Sequence, residues 1–259
     1  MANVLTNLAA DIYKAADVVG RELVGFIPAV TVNGDAVTRV AKGDTVRSHF
    51  TRTPTVSTTF APAMTIPEGT DQTVDNKTMS VDTYATVQIP WTGEDMKHVN
   101  NGSGFETIYG DQIRQAMRAI CNTIELSLFT TAYQGASRAT GTAGTTPFAS
   151  TIDVVADVRK ILVDNGCPMD GNVSLVMNTA AGAAMRKLTN LYKVNEAGGS
   201  DMLRQGVLLD LQGLMLRESA QISQVTKGTG AGYLLNGALA VGATTITVDT
   251  GTGTILAGD

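Results

Sequence analysis

Few side chains in this sequence have the types and spacing that chemistry requires. There are two histidines, His49 and His98, and two cysteines, Cys121 and Cys167. No Cys-x-x-Cys, His-x-x-x-His or clustered carboxylates show the spacing of a metal site. Nothing resembling a nucleophile elbow accompanies either histidine. The sequence therefore predicts no catalytic residue, no metal and no cofactor, and we expect a protein that is not an enzyme.

A glycine cluster is the remaining candidate for chemistry. Residues 228–232 read GTGAG, which superficially resembles a loop that binds phosphate. The cluster lacks the Walker lysine and the Gly-x-Gly-x-x-Gly spacing, and β-turns use the same glycines. We interpret it as a turn. A soluble α/β enzyme with a glycine-rich phosphate loop stays open as an alternative of another functional class.

Composition limits the class of protein. The chain has 259 residues, of which 43% are hydrophobic and 17% charged, enough for one large domain or two modest ones. A formal charge of −5 argues against a dedicated nucleic-acid binder. Two cysteines are too few for a disulfide scaffold and indicate a reducing compartment. The N-terminus lacks a basic n-region and no apolar run is long enough to span a bilayer, so we expect a soluble protein made inside the cell.

The chain is organised around a long helix predicted over residues 105–137. Ser103 and Glu106 have capping-box spacing, and no proline interrupts the segment. One apolar stripe predicts a buried face: Ile113, Met117, Ile120, Cys121, Ile124 and Leu128. The opposite, solvent-facing side carries Asp111, Arg114, Gln115, Arg118, Asn122 and Glu125. Beyond Glu125 that side becomes apolar with Leu126, Phe129 and Tyr133, which predicts burial on two sides, by the chain's own fold or by a neighbouring subunit.

The segments before this helix predict contacts with other parts of the fold or other chains. Residues 3–23 repeat apolar positions at helical spacing, including Leu8, Ile12 and Val19, so this helix must dock on its own domain or another chain. Residues 40–80 are rich in Thr and Val and contain three prolines, which predicts a β excursion, either a hairpin or a flexible loop. Residues 81–91 alternate cleanly and predict a half-buried strand.

The segments after the helix predict a compact mixed α/β unit over residues 150–225. We expect a helix capped by Ser150 and stopped at Asn165-Gly166, a strand over 173–178, a helix over 180–192, and a strand-turn-strand over 207–219. From residue 226 the composition shifts to glycine and short β runs, as at the start of a small β domain. Two lone β runs are not stable alone, so we expect the chain as given to be incomplete.

This order of segments resembles the P22-like branch of the tailed-phage major capsid proteins, with the HK97 fold. Five stretches carry the resemblance: LTNLAADIYKAADVVGRELVGFIPAV, FETIYGDQIRQAMRAICNTIELSLF, DVRKILVDNGCP, DMLRQGVLLDLQGLMLRES with the following VTKGTG, and NGALAVGATTITVDTGTGTILAGD. The resemblance implies an α+β fold with an N-arm over 1–39, an E-loop over 40–80 and a P-domain strand and spine helix over 81–137. An A-domain over 138–225 and the start of a β-rich insertion domain over 226–259 would follow.

The function implied by the resemblance is mechanical. Hexamers and pentamers of the chain would form an icosahedral head shell around double-stranded DNA in the virion, after synthesis in the bacterial cytoplasm. The partners implied are other copies of the chain, a scaffolding protein, a portal protein, a decoration protein and weakly held DNA, with no membrane. An encapsulin-like cellular compartment is the alternative that shares the fold. Candidate contacts between subunits are Leu8, Ile12, Val19, Arg47, Arg52, Phe60, Leu126, Phe129 and Tyr133.

Overall fold

The computed structural model describes residues 24–32, 41–56, 58, 64–65, 69, 71–90, 92–94, 105–142, 144–193, 204–206, 208 and 210–259. The chain divides into two compact units, one of residues 31–86 and one of residues 1–30 with 87–259. The predicted helix over 3–23, the predicted capping box at Ser103 and Glu106, and His98 lie outside the described side chains.

The smaller unit is an antiparallel β-hairpin. Strands β1 (Thr45–Thr51) and β2 (Val74–Ser80) pair from Thr45 opposite Ser80 to Thr51 opposite Val74. Thr- and Val-rich sequence favours this extended pairing. Of the two alternatives that the sequence left open for this stretch, the structure has the hairpin. The prolines that we expected to confine the pairing come after β1 and before β2.

In the described part of the larger unit, the first element is a 3₁₀ turn at Ile27–Ala29, and the long helix is α1, Phe105–Gly135. The long helix that the periodicity predicts is therefore confirmed. Ile113 is buried as expected, whereas Ile124 at the far end of the apolar stripe is 40% exposed. The first half of α1 borders the extended segment 87–90, and the two line an open, apolar groove of about 530 Å³.

The mixed α/β part comprises α2 (Asp153–Asp164), β3 (Ser174–Asn178), α3 (Thr179–Arg186), α4 (Thr189–Tyr192) and β4 (Met215–Ser219). Strands β3 and β4 pair in parallel, with Ser174 opposite Met215. Parallel neighbours need a crossover connection, which α3 and α4 provide. The side chain of Asn178 caps α3 by accepting a 2.8 Å hydrogen bond from the N–H of Ala181.

The hydrophobic core lies in this α/β part. Among the described residues, eight buried side chains form it: Phe148, Val155, Met177, Ala181, Met185, Leu188, Leu191 and Leu214. Val158 and Leu162 of α2 pack against it. The predicted end of α2 at Asn165-Gly166 is confirmed, because Gly166 has φ +78° and its N–H donates to Val163 O at 2.9 Å.

The last part of the chain is a small β segment. Strands β5 (Leu234–Leu235) and β6 (Val248–Asp249) pair antiparallel, and Ala231 bridges to Thr252. Most of its aliphatic side chains are exposed; Val241 is entirely so. The short β runs expected after residue 226 are thus present in part.

Several sequence predictions of local structure are wrong. Residues 81–90 form no strand. Val81 continues the hairpin through hydrogen bonds with Gly43 and Asp44, but no described backbone pairs with residues 82–90, and most side chains of the segment are exposed. Ser150 does not cap α2, whose N-cap is Ile152 without a side-chain hydrogen bond. The helix expected over 180–192 breaks at 187–188. In the first strand expected in 207–219, the described residues 208 and 210 are not in a strand, and Leu211 forms only a bridge to Leu214 around a turn with φ +53° at Gln212.

Candidate functional site: a buried carboxylate junction

Glu125, in the second half of α1, has no exposed surface. Its Oε1 accepts a 2.7 Å hydrogen bond from the backbone N–H of Ile27. Its Oε2 accepts from the N–H groups of Phe26 at 3.1 Å and Gly25 at 3.3 Å, and from the hydroxyl of Ser219 at 2.8 Å. The carboxylate therefore joins three separate parts of the sequence, and we call these five residues the carboxylate junction.

The sequence around Pro28 explains why a carboxylate fits here. The N–H groups of Gly25, Phe26 and Ile27 precede or open the 3₁₀ turn, where backbone donors lack partners within the turn. Pro28 has no N–H of its own. A negative charge at such a turn start is favourable, because these donors point outward from it. Glu125 satisfies all three donors from one side chain.

The electrostatics of the junction favour the ionised acid. Burial alone would raise the pKa of Glu125. The hydrogen bonds from Ile27, Phe26, Ser219 and Gly25 outweigh that effect and hold the pKa below its ordinary value of 4.5. The described partners of the carboxylate are N–H and O–H donors and not a cation. The group is a structural anion that fixes a loop, a helix and a strand end together.

Apolar packing surrounds the carboxylate. The Phe26 ring lies 6.1 Å from that of Phe129, and Phe129 lies 5.1 Å from Tyr133. On the other side, a Cβ placed on Gly25 would come within 2.6 Å of Val176 Cγ1. Only glycine lets residues 24–27 approach β3 this closely. The segment before the 3₁₀ turn is thus seated against both α1 and the parallel strand pair.

An ion pair lies beside the junction. Arg186 at the end of α3 donates to both carboxylate oxygens of Glu218, at 2.7 Å from Nη1 and 2.5 Å from Nη2. Its Nε donates to Gly206 O at 2.9 Å. The hydrogen bonds and the charge of Glu218 raise the pKa of Arg186 above its ordinary value. This bidentate geometry holds α3 to β4, one residue before Ser219.

The structure separates the predicted contact residues into three groups. Leu8, Ile12, Val19 and Phe60 lie outside the described residues. Arg47 is exposed on β1, and Arg52 forms an exposed ion pair with Asp75 of β2. On α1, Phe129 and Tyr133 are brought together within an aromatic cluster of their own chain, whereas Leu126 remains 46% exposed.

The sequence reasoning missed the centre of the junction. Glu125 was predicted to face solvent, and the structure shows it fully buried because backbone donors 98 to 100 residues away surround it. One signal existed in the pattern. Glu125 lies one helical turn before Phe129, on the side of α1 where the character changes from polar to apolar. No comparable sequence pattern indicated that Phe26 and Ser219 would donate hydrogen bonds to this carboxylate.

The glycine cluster behaves as part of the β segment. The N–H of Gly228 donates to the Asp259 carboxylate at 2.9 and 3.1 Å, and the N–H groups of Gly230 and Ala231 donate to Thr254 O and Thr252 O, both at 2.9 Å. A phosphate would need these donors, and they are occupied by the chain itself. The geometry argues against a phosphate loop, but the predicted turn is not what forms: Gly230 and Ala231 pair with residues 252–254, and within the cluster only Gly232, with φ +69°, has a left-handed backbone.

The described residues contain no group of three or more His, Cys, Asp or Glu side chains placed to hold a metal ion. Within the same ranges, no helix has the length and hydropathy to cross a membrane. Cys121 and Cys167 do not form a disulfide with each other.

The chain has a mixed fold of helices and strands, and the buried carboxylate of Glu125 is satisfied by donors of the chain itself. The fold resembles a solved chain from Mycobacterium phage Che8, with a TM-score of 0.58 and 17% identity, over 82% of this chain and 80% of that one. A search of curated proteins finds no match. The sequence matches the P22 coat protein family (gene protein 5) over residues 63–255, and the chain belongs to this family.

Family membership confirms the resemblance seen in the sequence. The chain is a bacteriophage coat protein, and its role is to build a capsid. The match covers the second strand of the hairpin, α1, the α/β part and most of the final β segment.

Proposed function

We propose that this chain is the major subunit of an icosahedral phage head, assembling as hexamers and pentamers around double-stranded DNA. Membership of the coat protein family supports a structural role that needs no catalysis. The structural observation that carries the proposal furthest is the hairpin of β1 and β2. A two-stranded sheet is marginally stable at best in water, so a protein that builds one needs a partner surface for it.

The hairpin offers apolar contacts suited to such a partner. Phe50, Val74 and Met79 are respectively 49%, 60% and 55% exposed. Register places Val46 opposite Met79 and Phe50 opposite Asp75 on one face, with Lys77 between them, whereas Val74 lies on the other face. Exposed apolar side chains interspersed with charges suit a specific protein contact. Arg47 lies on the opposite face and is a candidate to pair with acidic groups of a neighbour.

We assign the parts of the chain to an HK97-type subunit. Residues 1–39 would form the N-arm, 40–80 the E-loop, and 81–137 the P-domain segment with its spine helix. Residues 138–225 would form the A-domain, and residues 226–259 would begin the insertion domain. The carboxylate junction fits this division, because it ties the end of the N-arm to the spine helix and to the last strand of the α/β part.

The proposed partners follow from the same role. Copies of the chain would contact one another through the N-arm, the hairpin and Leu126 on α1. A scaffolding protein, a portal protein and a decoration protein would act during assembly in the bacterial cytoplasm and in the finished virion. A net charge of −5 suits a shell that holds its DNA weakly.

Electron microscopy of the full chain expressed with a scaffolding protein tests the proposal. We expect closed shells of uniform size. Native particles isolated from infected cells should contain double-stranded DNA. Uniform shells that carry protein cargo and no DNA would identify a cellular compartment in place of a phage head. A monomer or dimer under assembly conditions would overturn the proposal.

A further inference from the structure

The final β segment contains an exposed Asn-Gly pair, Asn236-Gly237, directly after β5. The sequence holds four Asn-Gly pairs, at 33–34, 101–102, 165–166 and 236–237, and the structure describes the last two. Asparagine followed by glycine is the dipeptide in which the next backbone nitrogen reaches the side-chain amide most easily, because glycine has no Cβ in the way. The two described pairs are in different local environments.

At Asn165-Gly166 both reacting groups are held. Asn165 Nδ2 donates a 2.6 Å hydrogen bond to Ile161 O at the end of α2. The N–H of Gly166, which would supply the attacking nitrogen, donates to Val163 O at 2.9 Å. Attack would have to break both bonds, so the helix end protects this pair.

At Asn236-Gly237 the same groups are open. Both residues are exposed, Gly237 has φ +91°, and no atom lies within 4 Å of the position of a Cβ on it. Among the described residues, neither the Asn236 side chain nor the Gly237 N–H takes part in a hydrogen bond, whereas the Asn236 N–H is fixed to Thr247 O at 2.9 Å. The backbone before the reacting amide is anchored, and the groups that would react are free to meet.

We infer that Asn236 is a site of spontaneous backbone modification. The Gly237 nitrogen loses its proton to solvent base and attacks Asn236 Cγ. The Cγ–Nδ2 bond breaks, ammonia leaves, and a five-membered succinimide forms. Water then opens either ring carbonyl and yields aspartate or isoaspartate at position 236. Water is the only co-reactant, and nothing is oxidised or reduced.

The products would alter the β segment. Both add one negative charge to a chain whose formal charge is −5. In isoaspartate the peptide bond to Gly237 is made by the side-chain carbonyl, so the backbone gains one carbon atom. This change would lie next to the hydrogen bond between Asn236 and Thr247 and to the pairing of Leu235 with Val248. In a shell whose subunits are not replaced, modified copies would accumulate with age; this consequence rests on the proposed function, whereas the chemistry does not.

Peptide mass spectrometry of the isolated protein, incubated in mildly alkaline buffer, tests the inference. Trypsin cleavage after Lys227 gives a peptide in which Asn236 is the only asparagine, and cleavage after Lys160 gives the peptide with Asn165. We expect Asn236 to convert about tenfold faster than Asn165, since two hydrogen bonds protect the latter. In denaturant the two rates should converge, because both pairs are Asn-Gly. Equal conversion rates at the two asparagines in the folded protein, or faster conversion of Asn165, would overturn the inference. Undiminished conversion of the peptide that follows Lys227 in the Asn236→Gln variant would overturn it as well.

Discussion

The hydroxyl of Ser219 donates a 2.8 Å hydrogen bond to the carboxylate of Glu125, 94 residues earlier in the chain. Both side chains are completely buried. The contact fixes the end of β4 against α1, and the same carboxylate fixes Gly25, Phe26 and Ile27. One carboxylate therefore links a loop, a helix and a strand end that are far apart in the sequence.

Replacement of Glu125 by glutamine should destabilise the protein. The amide NH₂ of glutamine would face backbone donors that now have an acceptor, and each donor left unpaired costs about 1–3 kcal/mol. Chemical denaturation measures the loss in free energy of unfolding. Glu94→Gln is the matched control, because Glu94 is exposed and should change stability by less than about 0.5 kcal/mol. Equal stability of the two variants would show that the junction contributes nothing.

The stability contributed by Glu125 should depend on pH. Since the pKa of Glu125 is lower in the folded protein than its ordinary value of 4.5, the unfolded chain binds the proton more readily. The stability that Glu125 contributes is therefore fully present at pH values above about 4.5. It is lost as the pH falls through the lowered pKa that Glu125 has in the folded protein. Unfolding free energies of wild type and Glu125→Gln should converge as the solution is acidified. A gap that widens towards acid pH would contradict the account.

Two helical glycines should respond oppositely to alanine. A Cβ on Gly182 of α3 would clash with Glu218 Oε1 and displace the carboxylate from Arg186. Gly182→Ala should therefore lower the free energy of unfolding by about 2 kcal/mol or more. Gly110 of α1 has nothing within 4 Å of its Cβ position, so Gly110→Ala should raise it by about 0.5–1 kcal/mol. Thermal denaturation of both variants measures the difference, and similar effects at the two sites would contradict it.

Aspartate substitutions on α1 should separate folding from assembly. Phe129 packs on Phe26 and Tyr133, so Phe129→Asp should weaken the fold of the isolated chain. Leu126 is 46% exposed, so Leu126→Asp should leave unfolding of the isolated chain unchanged and reduce the yield of shells. Chemical denaturation measures the effect on unfolding of the isolated chain, and electron microscopy measures the yield of shells. Normal shells from Leu126→Asp would remove Leu126 from the predicted subunit contacts.

The sequence predicted the elements that follow from local pattern. The stripe through Ile113 and Met117 was enough for α1, and the apolar run at 173–178 was enough for β3. Alternation at residues 81–90 predicted a strand wrongly, because a strand also needs a neighbouring backbone that local sequence does not specify. Burial of Glu125 was missed for the same reason: its donors at 25–27 and 219 are brought to it only by tertiary folding.

The claim that the chain builds a shell is tested most directly by a single-particle reconstruction of assembled particles. The proposal predicts closed shells in which the β1–β2 hairpin lies against a neighbouring subunit, with Phe50 and Met79 buried in that contact. Particles in which the hairpin stays solvent-exposed would contradict the proposed contact. Failure of the chain to form closed particles with its scaffolding protein present would contradict the shell function itself.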